Sequence, residues 1–89
     1  MAKKRRKLNK DFERKIYSSK KNVELVLAKI YDIDDEDIQK EYMSAFNDVI
    51  YIYDELNNDY KLKGFNYNSE ELLSNYKNAF SLFESEFEI

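Results

Sequence analysis

The sequence predicts an all-α fold, a small three-helix antiparallel bundle carrying a flexible basic N-terminal arm, and three observations predict it. One Gly and no Pro in 89 residues leave almost nothing to interrupt regular structure, whereas a β-rich fold needs many more turn residues. Apolar residues recur at spacings of three and four along most of the chain. The breaks in that pattern fall on helix-capping residues. A chain of this length makes one domain, and with 43% hydrophobic and 16% aromatic residues it has enough apolar side chains for a bulky core.

Residues 1–8 form the arm: MAKKRRK is a like-charge block that repels itself and is expected to stay disordered when free. Residues 9–89 form the helical domain. Helix 1 is expected over about 9–32, with Asn9 as N-cap and Phe12, Ile16, Ser19, Val23, Val26, Leu27 and Ile30 as its buried stripe. Helix 2 is expected over 34–63. Asp34 serves as its N-cap, Ile33 and Ile38 take the two positions of a hydrophobic staple, and Asp35, Glu36 and Asp37 favour the positive end of the helix dipole. Its core face is Ile38, Tyr42, Ala45, Phe46, Val49, Tyr53, Leu56 and Tyr60, widened by Met43 and Ile50, which makes this helix central.

Gly64 falls where a residue of positive φ ends helix 2. Helix 3 is expected over 68–87, with Asn68 and Glu71 as a capping box and Tyr67 and Leu72 as a second staple. Its buried face is Leu72, Leu73, Tyr76, Ala79, Phe80, Phe83 and Phe87. Glu84, Glu86 and Glu88 crowd the negative end of its dipole, so its last turn is expected to fray.

Several function classes drop away on composition. Without Cys there is no disulfide, thiolate metal site or thiol nucleophile, and without His the usual general base is missing. No Gly-rich phosphate loop or nucleophile elbow appears, so a non-enzymatic protein with no cofactor and no metal is expected. The run Asp32–Asp37 is not a calcium loop, because Asp37 stands where such a loop needs Gly and Met43 where it needs Glu. No apolar run approaches the length of a membrane span, and Leu8 leads straight into Asn9, Lys10 and Asp11 with no signal-peptide core. The expected location is cytoplasmic, in the host cytoplasm if the chain is phage-encoded. The prevalence of Lys, Asn, Asp, Glu, Ile and Tyr suits an accessory protein of an AT-rich phage or a low-GC bacterium.

The net charge of −3 conceals a division. Residues 1–22 hold ten Lys/Arg against Asp11 and Glu13, a balance of +8, and residues 23–89 carry the compensating −11. At about 100° per residue, Lys10, Arg14, Tyr17 and Lys21 fall together opposite the apolar stripe of helix 1. With Lys3, Lys4, Arg5, Arg6 and Lys7 they make a cationic strip suited to phosphate backbones, and Tyr17 is placed to stack on a base. The plainer alternative is a solubilising face and tail.

On helix 2, Asp37, Glu41, Asp48, Glu55 and Asp59 fall within about 40° of arc along roughly 33 Å. This line could bind a protein, imitate a phosphate backbone, pair with the cationic strip within the chain or in a homodimer, or simply be a wet helix face. Tyr51, Leu25 and Leu82 lie off the main stripes and would mark a protein interface if they came together.

The expected function is a small helical binding or adaptor protein, holding nucleic acid or a ribonucleoprotein through its basic N-terminus and a protein partner through its acidic helices. The alternative is a phage-type, anti-CRISPR-like inhibitor whose acidic, Tyr-rich helix 2 blocks a nucleic-acid-binding host protein. A virion structural or assembly component ranks third.

Overall fold

A computed structural model describes residues 7–88, which form three helices: α1 (Lys10–Tyr31), α2 (Glu36–Lys63) and α3 (Ser69–Glu86). They pack as a small all-α bundle. α2 is central, with α1 and α3 on its two flanks, and its 28 residues span about 42 Å. Contacts at the helix ends set the directions. The start of α1 meets the end of α2 through Asn9 and Tyr60, and the start of α2 meets the end of α3 through Tyr42 and Phe87.

The basic arm lies outside the described residues except for Lys7 and Leu8. Lys7, assigned to that arm, is tied down: its carbonyl accepts the Phe65 N–H at 2.6 Å, and its Nζ stands 6.0 Å from the centroid of the Phe65 ring. Lys7 also makes a single backbone bridge to Gly64.

The caps explain the helix limits and correct three expectations. Asn9 caps α1 as anticipated, its Oδ1 accepting from the Phe12 N–H at 3.0 Å. The cap of α2 is Asp35, not Asp34: its Oδ1 takes the N–H groups of Asp37 and Ile38 at 2.9 and 3.1 Å. That one-residue shift dissolves the Ile33–Ile38 staple and puts Gln39 at the fourth helical position. The Gln39 amide instead reaches back to the carbonyls of Ile30 and Tyr31, both at 3.2 Å, and satisfies the end of α1. Ile38, expected in the core, is 47% exposed, since the last ring of α3, Phe87, reaches only Tyr42, one turn further along.

At the other corner, Asn68 makes no side-chain cap. The reciprocal pair is Asn66 and Ser69: the Asn66 N–H donates to Ser69 Oγ at 2.9 Å, and the Ser69 N–H donates to the Asn66 carbonyl at 3.0 Å. Asn66 Oδ1 also accepts from the Asn68 N–H. This turn swings Tyr67 outward to 94% exposure, so the Tyr67–Leu72 staple does not form either. The last turn of α3, expected to fray, keeps its backbone bond from the Phe87 N–H to the Phe83 carbonyl.

The core follows the sequence stripes. Phe12, Ile16, Val23, Val26 and Ile30 of α1 meet Phe46, Val49, Tyr53 and Leu56 of α2 and Leu73, Tyr76 and Phe83 of α3. Between α2 and α3 the rings of Tyr53, Tyr76, Phe80, Phe46, Phe83, Phe87 and Tyr42 follow one another at centroid distances of 4.8–6.1 Å. α1 joins through Phe12, packed on Tyr60 and Phe65, and through the buried bond from the Tyr76 hydroxyl to the Ser19 carbonyl at 3.2 Å. Burial pushes that hydroxyl up to about 12.

Two stability predictions follow from these details. Gly64 has φ 71° and ψ −161°, a region open in practice to glycine alone, and it is buried. Gly64→Ala should lower the unfolding free energy in urea by about 1–3 kcal/mol, and Gly64→Val should lower it further. An unchanged urea midpoint for the alanine variant would show that the backbone relaxes to another conformation. For Tyr76, the unfolded chain loses its proton near pH 10 and the folded chain only near 12, so the stability tied to the neutral hydroxyl is intact below pH 10 and is lost as pH rises toward 12. Tyr76→Phe should cost about 0.5–1.5 kcal/mol at neutral pH and make the alkaline decline shallower. A decline as steep as that of the wild type would assign it to other groups.

Candidate functional site

The first candidate surface is the outer side of α1. Phe12, Ile16, Ser19, Val23 and Val26 turn inward, and helical periodicity brings Lys10, Arg14, Tyr17 and Lys21 out together on the opposite side. All four are exposed. Lys21 Nζ sits 5.3 Å from the centroid of the Tyr17 ring, so one ring face already carries a cation. Arg14 is 3.8 Å from Asp11, with both side chains more than four-fifths exposed, a contact that leaves the guanidinium open to solvent. Lys3, Lys4, Arg5 and Arg6 lie outside the described residues.

Tyr17 also borders the groove between α1 and α2, together with Lys20, Tyr53, Asp54 and Asn57. Glu13, which faces the same groove, accepts the Tyr60 hydroxyl at 2.6 Å, and that hydroxyl accepts the Asn9 N–H at 3.0 Å. The start of the cationic helix is thus latched to the end of α2 by one tyrosine.

The second surface is the acidic line on α2. Asp37, Glu41, Asp48 and Glu55 are exposed, as is Tyr51 at 67%. Asp59 departs from the line. Its side chain is only 14% exposed, pairs with Lys63 Nζ at 3.3 Å and accepts from Asn66 Nδ2 at 2.9 Å, while the same Asn66 amide donates to the Gly64 carbonyl. Asp59 therefore holds the α2–α3 corner and is not a free surface carboxylate. Among the described residues no ion pair links the acidic line to the cationic strip. The two lie on different flanks, since Asp48 and Tyr51 border the groove toward α3 while Asp54 and Asn57 border the groove toward α1.

Tyr51 and Leu82 meet at that α2–α3 groove, as an interface would require, whereas Leu25 lines the groove between α1 and α3 on the other side. Of the groove's other apolar walls, Ala45, Val49, Ala79 and Phe83 belong to the expected buried faces, and Ile52 alone was not anticipated among them. Its signal is the spacing of three from Val49 and seven from Ala45, which continues one edge of the α2 stripe.

Comparison with protein-family models, with curated proteins and with solved structures gives no match. Among the described residues no three Asp or Glu side chains converge as metal ligands, and Asp35 of the acidic run spends its carboxylate on the start of α2. No helix there is long and apolar enough to cross a membrane.

The different standing of the two aspartates can be measured. Asp59→Ala leaves the Asn66 amide short of a partner in a largely buried corner and should destabilise the fold by about 1–3 kcal/mol. Asp48→Ala, on the open surface, should stay within about 0.5 kcal/mol of the wild type. Equal thermal midpoints for the two variants would contradict this division.

Proposed function

We propose that this chain is a non-enzymatic adaptor that holds nucleic acid or a ribonucleoprotein on the outer face of α1 and a protein on the acidic flank of α2. The observation that supports it most is the arrangement of α1: Lys10, Arg14, Lys21 and the half-exposed Tyr17 share the one side of that helix that no other helix covers. Three cations at one-turn and two-turn spacing meet successive phosphates, and the tyrosine offers a ring to an unpaired base. Residues 1–6 of the sequence hold four more cations, Lys3, Lys4, Arg5 and Arg6. The balance of −11 beyond residue 22 keeps nucleic acid off the rest of the molecule.

A second reading, in which α2 imitates a phosphate backbone and blocks a nucleic-acid-binding protein, is favoured by one observation. Asp37, Glu41, Asp48 and Glu55 stay exposed along about 27 Å of helix.

Mobility shift with duplex and single-stranded probes at several salt concentrations tests the adaptor reading. Because Lys7 anchors Phe65, the informative truncation removes residues 1–6 only, leaving that tether in place. The slope of log K against log salt on duplex should shrink by about 3 to 4. Replacing Lys10, Arg14 and Lys21 with Ala should reduce it by about 2 to 3 more. Tyr17→Ala should weaken single-stranded binding by about 1–3 kcal/mol and leave duplex binding nearly unchanged. A wild-type chain that binds neither DNA nor RNA in low salt would end the adaptor reading and turn attention to the second.

A further inference from the structure

We propose that the groove between α2 and α3 docks a helix of another protein, one whose apolar stripe is flanked by Lys or Arg. The inference deepens the protein-binding half of the adaptor reading and rests on it.

The shape of the groove selects a helix. On α2 it is walled by positions 45, 48, 49 and 52, and on α3 by 79, 82, 83 and 86. Both sets follow the spacing i, i+3, i+4, i+7, so two ridges run side by side over two turns. An added helix packs into such a pair with its own side chains between theirs, as a fourth member of the bundle. Ala45 and Ala79, one toward each end of the groove because the two helices run antiparallel, keep its floor low enough for close approach. Tyr51 and Leu82, both about two-thirds exposed, stand at its rim as unpartnered apolar side chains.

The charge of the groove selects the flanks of that helix. Among the described residues Asp48 and Glu86 are the charged ones that line it, and none of its lining residues is a cation. The other two interhelical grooves carry both signs, with Lys20 and Lys61 beside Asp54 in one and Lys29 beside Glu84 in the other. Glu41 and Glu55 extend the acidic edge one turn beyond each end of the α2 wall. An apolar floor with a single-sign rim matches an amphipathic helix of the opposite sign, and it repels an acidic one. A second copy of this chain is a poor occupant. Within its cationic stretch α1 offers Tyr17 as the one large exposed apolar side chain, because its apolar stripe is already buried in its own bundle.

The test uses the full chain, isotopically labelled, and two designed peptides of about 18 residues, long enough for a few helical turns. Both carry the same leucine stripe; one is flanked by Lys and the other by Glu. The Lys peptide should shift the amide resonances of Ala45, Ile52, Ala79 and Leu82, and the Glu peptide should not. D48K/E86K, which alters two exposed side chains, should weaken the Lys peptide by about tenfold or more and admit the Glu peptide. Ala79→Arg, which fills the groove floor, should abolish docking with the helical circular dichroism preserved. Equal binding of both peptides, shifts confined to another face, binding of neither, or self-association of the chain through Leu82 would each overturn the assignment. Mobility shifts on the same samples separate the two halves of the adaptor. Peptide docking without nucleic-acid binding supports this groove and removes only the α1 reading; nucleic-acid binding without docking does the reverse.

Discussion

The run of aromatic rings between α2 and α3 is the contact on which the rest of the molecule depends. Each ring touches the next along the interface, from Tyr53 to Tyr42, and the buried Phe46 stands at its middle. Rings packed edge to face add directional preference to the area they bury, so the two helices are fixed in register as well as held together. A domain this small has little apolar surface to spend, and the largest side chains of its core stand in this seam. The groove on the outer flank of the same pair inherits that rigidity, since its walls at 45/49/52 and 79/82/83 are the neighbouring turns of the same two helices.

α1 is attached by a different kind of contact. Its stripe is narrow and mainly β-branched, and polar latches fasten it at both ends and at its middle: Asn9 and Glu13 on Tyr60, the carbonyls of Ile30 and Tyr31 on Gln39, and the Ser19 carbonyl on Tyr76. Such latches set position more than they add stability, because each replaces bonds to water. Their effect is to present a helix whose outer half is free of packing duties. The cationic residues occupy that half, and none of them is needed for the core.

The charge division keeps the two surfaces independent. The cationic side of α1 and the acidic groove of α2 and α3 open on different flanks of the bundle, and among the described residues no ion pair joins them. At physiological ionic strength screening acts over about 8 Å, which limits what each exposed charge feels of the other surface. In the proposed adaptor, a phosphate backbone on one flank and a cationic helix on another would be kept apart by this division. Asp59 shows the limit of reading charge from spacing alone. Its place on the helical wheel matches Asp37 and Glu41, yet the turn at Asn66 folds back over it.

The sequence by itself determined the helices, the order of their apolar faces, the cap at Asn9, the break at Gly64 and the cationic side of α1. These depend on local periodicity and on backbone preferences that act within a few residues. Tertiary structure decided the other two helix starts, where Asp35 rather than Asp34 caps α2 as Gln39 reaches α1, and where the Asn66–Ser69 pair stands in for a side-chain cap from Asn68. It also decided that Ile38 stays exposed and that Lys7 is tied to Gly64 and Phe65. That Tyr51 and Leu82 border one groove was out of reach of the wheel for the same reason. A helical wheel gives each residue an angle on its own axis, whereas a groove exists only once two axes have been set side by side, and here the aromatic seam sets them.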